Sequence, residues 1–210
     1  MTAMPFSQFY EDYAKTGFAQ VKSKKVASLA LHFLQSPVLD AGCYFGEKTK
    51  MLGKHFEKVD GCDISKTAVQ KAKKKHKGLE FFVCDLEQPN LKFAKKYNSV
   101  FAAELIEHVF DTQAFLKNCF NALNKGGILF LTTPNVIQVL NRLRIVFGDT
   151  TPISGDKAHI RFFKPKTLKQ ELEKAGFTVI HLNGYNVRPF LKHLPMPLNW
   201  YEGIIAVAKK

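Results

Sequence analysis

The twelve residues from Val38 to Thr49, VLDAGCYFGEKT, decide the fold of this chain. A short apolar run ends at Gly42, and a second glycine, Gly46, comes just before a polar stretch typical of a helix. A short apolar run that ends in glycine predicts a buried strand of a parallel sheet. A strand, a glycine turn and a helix in succession predict the loop that receives a nucleotide-like ligand in an open α/β sheet.

Strands and helices alternate along the rest of the chain. Apolar runs predict strands at 37–42, 58–64, 79–85, 97–104, 127–135, 178–185 and 203–210. Helices are predicted from about Glu47, in the lysine-rich stretch after Ile64, at 111–127 and at 165–177. This order predicts an α/β fold: a Rossmann-like, doubly wound sheet of seven strands with helices on both faces. The sheet is expected to be mostly parallel, with an antiparallel C-terminal strand, because the last two strands are joined without a helix.

Length and composition favour one domain. The chain has 210 residues, of which 46% are apolar, enough for one α/β core. We expect a single domain over 1–210. Its predicted parts are an N-terminal helical lid (1–35), a cofactor-binding half (36–135), a substrate-side insertion (136–165) and a C-terminal helix and strand pair (166–210).

Leader and cysteine patterns predict a cytoplasmic protein. The first residues lack the basic start and apolar run of a signal peptide, and no stretch approaches the ~18–20 apolar residues of a membrane span. The cysteines are far apart in sequence, at Cys43, Cys62, Cys84 and Cys119. This spacing predicts buried free thiols in a reducing compartment.

The formal charge of +13 is concentrated in Lys66–Lys77, KTAVQKAKKKHK, which has no acidic residue. Its apolar residues, Ala68, Val69 and Ala72, share one helical face. No aromatic residue lies among the lysines to stack on bases, so a solvated helix face is favoured over a nucleic-acid site.

The acids near the predicted strand ends indicate the ligand. A dinucleotide site has the spacing GxGxxG, whereas this loop has GxxxG with Asp40 two residues before Gly42. A carboxylate there repels phosphate and suits an ammonium group. Asp63 ends the second strand, where it can accept the ribose hydroxyls, and Asp85 ends the third, where it can accept from an adenine amino group. The loop and the two acids together suit adenosine attached to an amino acid.

At this point the chain resembles the class I S-adenosylmethionine-dependent methyltransferases. The first motif is close to the family's VLDxGCGxG, and AAELIEHV, LNKGGILFLTTPN and LEKAGFTV follow in the family's order. The resemblance implies S-adenosyl-L-methionine as the cofactor. The cofactor-binding residues expected are Asp40, Gly42, Tyr44, Gly46, Asp63, Ile64, Asp85, Leu86 and Glu104.

Tyr44 departs from the glycine that the family usually has at this place. If the position needs φ > 0, tyrosine strains the backbone by on the order of 1–3 kcal/mol. If it does not, Tyr44 shields the cofactor.

The fourth predicted strand ends in the ExxEH sequence that carries Glu107 and His108. These two residues are the catalytic candidates, with His108 as a general base, although shaping the loop is an equal alternative. In some family members an ExxEH motif holds a divalent metal such as Mg²⁺. The resemblance therefore also offers a metal site of Glu104, Glu107 and His108 with the later His159, while many relatives hold no metal.

The insertion after the fifth strand has an apolar helical face over 136–148, formed by Val136, Val139, Leu140, Leu143, Val146 and Phe147. A wall of the substrate pocket, a membrane-surface helix and core packing all remain open. Arg142, Arg144 and Arg161 suit either an anionic substrate or solvent. Phe9, Tyr10 and Tyr13 suit either a lid or helix packing.

We therefore expect a methyltransferase that acts on an oxygen of a small molecule, lipid precursor or sugar. An RNA methyltransferase is the main alternative, so a nucleic-acid partner stays open but is not favoured. A non-catalytic protein that keeps the fold is a second alternative, and peripheral membrane contact also stays open. A nicotinamide-dependent dehydrogenase is disfavoured by the missing GxGxxG.

Overall fold

A computed structural model describes residues 23–148, 158–186 and 197–210. In these residues the strands are β1 (Val38–Ala41), β2 (Val59–Asp63), β3 (Glu80–Val83), β4 (Tyr97–Ala103), β5 (Leu123–Pro134), β6 (Thr178–Tyr185) and β7 (Gly203–Lys209). The helices are α1 (Ser23–Ala30), α2 (Glu47–Leu52), α3 (Lys66–Lys75), α4 (Thr112–Ala122), α5 (Val139–Val146) and α6 (Pro165–Lys174). Short 3₁₀ turns lie at Ile106–His108 and Leu198–Trp200.

The predicted fold class is confirmed. The strands form one seven-stranded sheet in the order β3-β2-β1-β4-β5-β7-β6. The first five strands are parallel, and β7 is antiparallel to both β5 and β6. Strand order reverses between β1 and β4, so the cleft beyond their carboxyl ends is where such a sheet binds its ligand.

Apolar side chains fill both faces of the sheet. On one face the core includes Leu39, Val100, Phe115 and Leu131, and on the other it includes Val38, Leu52, Phe101 and Phe130. Helix α3 is placed as predicted, with its three apolar residues buried and its lysines mostly exposed. All four cysteines are buried and free, also as predicted.

The predicted helix 111–127 is wrong at its C-terminal end. Asp111 caps the helix as expected, with its carboxylate accepting from the Gln113 and Ala114 amides, but α4 ends at Ala122. Leu123 then begins β5 and pairs with Tyr97 of β4. Tertiary pairing overrides the helical pattern here, because the buried Leu123 side chain belongs to the same core cluster as Tyr97.

Helix α5 turns most of its apolar face outward. Gln138 and Asn141 are buried beside it, whereas Leu140, Leu143, Val146 and Phe147 are exposed, Phe147 at 83%. The face that packs against the protein is polar, so core packing does not explain the apolar face.

The N-terminal prediction is only partly covered by the structure. Helix α1 contributes Val26, Ala27 and Ala30 to the core. Phe9, Tyr10 and Tyr13 lie outside the described residues, as does part of the 136–165 insertion. Among the described residues, we find no helix both long and apolar enough to cross a bilayer.

Candidate active site

The loop after β1 takes a left-handed backbone conformation at every second residue. The φ angles are 72° at Gly42, 50° at Tyr44 and 81° at Gly46. The amides of Gly42 and Cys43 both donate to the carbonyl of Cys62 in β2, at 2.9 Å. These bonds hold the loop over the carboxyl end of the neighbouring strand.

The two glycines also permit close packing around the loop. A Cβ at Gly42 would lie 2.9 Å from the Leu105 side chain, and one at Gly46 would lie 2.8 Å from His76 and Phe81. Glycine is therefore needed at both positions for space as well as for positive φ. Leu105, which follows Glu104, therefore packs closely against the loop, and this contact joins the ends of β1 and β4.

Asp40 lies beneath this loop and is fully buried. Its Oδ2 accepts from the Thr49 hydroxyl at 2.6 Å, and no described residue is a partner for its Oδ1. Burial raises the pKa of Asp40 to about 6, against the opposing effects of the Lys48 charge and the Thr49 hydrogen bond. Asp40 thus fixes the start of α2 and leaves one acceptor oxygen inside the site.

The acids at the ends of β2 and β3 differ in their surroundings. Asp63 is half-buried: its Oδ2 accepts from the Tyr44 amide at 2.9 Å and its Oδ1 from the Ser65 amide at 3.0 Å. The Asp85 carboxylate is exposed and accepts from the Glu87 amide. Ile64 is half-buried beside Asp63, while the Leu86 side chain is buried in the core.

Glu104 ends β4 in a left-handed conformation, with φ 55°. Its Oε1 accepts from the Thr132 hydroxyl at 2.9 Å and from the Tyr185 hydroxyl at 2.7 Å. Burial raises the pKa of Tyr185, and the Glu104 charge adds to the effect, so this phenol stays a proton donor. Glu104 is therefore held by hydrogen bonds from β5 and β6.

Glu107 is buried in the 3₁₀ turn that follows β4. Its Oε2 accepts from the Thr133 hydroxyl at 2.9 Å, and no described residue is a partner for its Oε1. Burial, together with the nearby Glu104, raises the pKa of Glu107 well above its ordinary range. A buried carboxyl oxygen without a partner is costly unless a ligand or ion completes it.

His108 and His159 join Glu107, although His159 is fifty-one positions later in the chain than His108. One ligand atom from each of the three residues lies within 4.8 Å of the others. His108 Nδ1 lies 2.9 Å from the Ala158 carbonyl oxygen, which places the ring proton on Nδ1 and the lone pair on Nε2. Glu104, the fourth predicted metal ligand, is not part of this cluster.

Three exposed apolar side chains lie within three residues of the two histidines in the sequence. Phe110, Ile160 and Phe162 are each more than a third exposed, with Phe110 at 54%. The Arg161 guanidinium donates to the carbonyls of Val109 and Phe110, so it faces neither of the two alternatives alone but fastens the segment after Ala158 to the turn after β4. These hydrogen bonds hold the part of the chain that carries His159 against the part that carries His108.

Sequence reasoning missed three residues of this site: Lys48, Thr133 and Tyr185. Lys48 donates from Nζ to the Ala103 carbonyl oxygen at 2.9 Å. Thr133 and Tyr185 hold Glu107 and Glu104 respectively. Lys48 had a sequence signal, a cation directly after the glycine loop, whereas the tyrosine and threonine lie on strands whose neighbours only the sheet order reveals.

Comparisons with known proteins agree with this geometry. A family model described as "Methyltransferase domain" matches residues 13–182. The human mitochondrial ubiquinone biosynthesis O-methyltransferase is 34% identical over 164 residues, covering 73% of this chain. The chain spans 44% of that relative's length.

Solved structures share the fold at low identity. An S-adenosylmethionine-dependent methyltransferase from Archaeoglobus fulgidus matches with a TM-score of 0.69 and 16% identity, covering 96% of this chain and all of that one. The magnesium protoporphyrin IX methyltransferase of Synechocystis, solved with S-adenosylhomocysteine bound, matches with a TM-score of 0.64 and 19% identity. That match covers 97% of this chain and 94% of the other.

Proposed function

The chain belongs to the class I S-adenosylmethionine-dependent methyltransferase family, and we propose that it binds this cofactor and transfers its methyl group to an oxygen of a small molecule. The observation that carries the proposal is the loop of alternating left-handed residues, set beside Asp63 at the strand-order reversal. Such a loop brings backbone amides close to a ligand. The similarity to an O-methyltransferase supports oxygen as the acceptor.

The residues proposed for the cofactor follow from their positions at the carboxyl edge. Gly42, Tyr44 and Gly46 supply the loop, and Asp63 retains acceptor capacity for the ribose hydroxyls because a carboxylate accepts about four hydrogen bonds. Asp85, exposed at the next strand end, suits the adenine amino group. When bound, the cofactor supplies an activated methyl group, so the protein has to align the acceptor and remove its proton.

The acceptor we propose carries its hydroxyl on an apolar body. Phe110, Ile160 and Phe162 are exposed and lie within three residues of His108 or His159 in the sequence, and we infer that they form an apolar rim beside the site. Such a rim suits an aromatic ring or a lipid precursor better than a sugar, because a sugar would leave the aromatic surface without an apolar partner. Where no metal is bound, His108 is proposed as the general base, its Nε2 lone pair fixed by the Nδ1 bond to Ala158.

A divalent metal fits the same cluster. Glu107 Oε1 is a buried acceptor that lacks a partner among the described residues, and two imidazoles lie within reach of it. One carboxylate with two imidazoles is a donor set that suits Zn²⁺ or Mn²⁺ better than Mg²⁺, which prefers oxygen ligands. Glu107, His108 and His159 would hold the ion, and a bound ion lowers the pKa of an acceptor hydroxyl.

We place the protein in a reducing compartment such as the cytoplasm, on the support of its four free buried thiols.

The proposal is tested first by calorimetric titration of S-adenosylhomocysteine into the purified protein, with and without Zn²⁺ or Mn²⁺. We expect one-to-one binding. Transfer of labelled methyl groups is then measured to phenols with and without a long apolar tail, and we expect a higher kcat/KM for the tailed compounds.

Other outcomes identify the alternatives. No binding of S-adenosylhomocysteine under any of these conditions overturns the proposal, and binding of NADH instead would indicate a dehydrogenase. Binding without transfer to any acceptor would indicate a non-catalytic protein. Transfer to RNA, with a substrate affinity that falls steeply with salt, would indicate the RNA enzyme and give the exposed lysines of α3 a role.

A further inference from the structure

Lys48 lies in the first turn of α2, and its side chain crosses to the end of β4. Its Nζ donates to the Ala103 carbonyl oxygen and lies 5.8 Å from the Phe101 ring centroid. The residue is half-buried, so part of its side chain is accessible to solvent. An ammonium has three N–H donors, and in the described part of the chain the Ala103 carbonyl takes one.

The charges around Lys48 are mostly negative. Asp40 and Glu107 are both buried, and Lys48 acts electrostatically on each of them. Asp63 and Glu104 end the neighbouring strands at the same edge of the sheet. A carboxylate that entered this edge would be repelled by those of the four acids that are ionised unless a cation lay beside it.

An amino acid brings two opposite charges to the site. The acids suit its ammonium group, and Oδ1 of Asp40 lacks a partner among the described residues. The carboxylate needs a cationic donor at the same edge. Lys48 is such a donor, anchored by one hydrogen bond and placed where the β1 loop meets β4.

We propose that Lys48 binds the α-carboxylate of the cofactor's amino-acid end. The proposal rests on the proposed function, since it assumes that S-adenosylmethionine occupies this cleft. Lys48 would then make the site prefer a cofactor with a complete amino-acid end to one that lacks the carboxylate.

The test compares two ligands by calorimetry, so it does not depend on activity. One is S-adenosylhomocysteine, and the other is its decarboxylated analogue, which keeps the amine and lacks only the carboxylate. Lys48→Met should lower the affinity for S-adenosylhomocysteine about tenfold to a hundredfold, as expected for the loss of a charge-assisted hydrogen bond. The same variant should change the affinity of the decarboxylated analogue by less than about threefold.

Two further variants make the comparison specific. Lys50→Met removes the same charge from an exposed position of the same helix and should leave both affinities unchanged. Lys48→Gln keeps a donor without the charge, and it should repeat the selective loss if Lys48→Met folds poorly.

The failures of the two proposals are distinguishable. Suppose that the wild-type protein binds S-adenosylhomocysteine, and that Lys48→Met either lowers the affinity for both ligands equally or changes neither affinity. Lys48 then does not bind the carboxylate, and only this inference is overturned. If the wild-type protein binds neither ligand, the proposed function is wrong and the inference fails with it.

Discussion

Tyr44 holds a left-handed backbone between two glycines that do the same. A side chain in this region costs roughly 1–2 kcal/mol. Several contacts offset the strain: the Tyr44 amide donates to Asp63, and the ring stacks on Phe45 with centroids 3.8 Å apart. The first sequence alternative, strain, is therefore the one that applies, although it does not prevent the loop from forming.

Asp40 gives a pH dependence whose sign follows from its burial. Its pKa is about 6 in the folded protein, against an ordinary value of 3.8. Between these values the folded state holds the proton more tightly than the unfolded chain, so stability falls as pH rises from about 4 to 6. The difference corresponds to about 3 kcal/mol in the free energy of unfolding.

We expect Asp40→Asn to remove this loss. Asparagine keeps an acceptor for Thr49 but does not ionise. The free energy of unfolding of the variant, relative to that of the wild type, should therefore rise by about 2–3 kcal/mol between pH 4 and pH 7. Urea unfolding of both proteins at four pH values measures it, with Glu57→Gln as an exposed control. A difference that does not change with pH would mean that Asp40 titrates normally in the folded state.

At the scale of the element, the strands were predictable and the helix ends were not. Strand β6 was predicted at its observed bounds because turn residues flank a clear apolar run. The end of α4 was missed because Leu123, Asn124 and Lys125 continue a helical pattern up to the stop predicted at Gly126 and Gly127, whereas pairing of Leu123 with β4 decides the structure. His159 was a candidate ligand, but its local sequence does not show which residues it contacts. The amides of Ile160 and Arg161 donate to the Glu107 carbonyl, and these hydrogen bonds bring His159 to His108.

Helix α5 shows that an apolar period in the sequence does not by itself determine which face of a helix is buried. Leu143 belongs to the apolar face of α5 and is 48% exposed, whereas Leu116 of α4 is fully buried. We expect Leu143→Ala to change the free energy of unfolding by less than about 0.5 kcal/mol, as at an ordinary surface position. Leu116→Ala should cost about 2–5 kcal/mol through cavity formation.

Urea unfolding of the two variants checks the orientation of α5. If Leu143→Ala lowered the free energy of unfolding as much as Leu116→Ala does, the apolar face of α5 would be packed in solution. A small loss leaves the face available to an apolar substrate or to a membrane surface.

At the scale of the whole molecule, the site is built where separate parts of the chain meet. The turn after β4 supplies Glu107 and His108, and the segment after β5 supplies His159. A parallel bridge between Asn135 and Phe163 fixes that segment beside the end of β5. An ion held by all three side chains would therefore tie the two parts together and stabilise the folded state as a whole.

We expect Zn²⁺ or Mn²⁺ to raise the Tm of the metal-stripped protein. At a hundred times the dissociation constant the gain is about 2.7 kcal/mol, or roughly 5–10 °C for a chain of this size. His159→Ala should remove most of the shift, and His55→Ala, at an exposed histidine outside the cluster, should keep it. An equal shift in both variants would mean that the ion binds elsewhere, and no shift at millimolar metal would leave His108 to act as a general base without an ion.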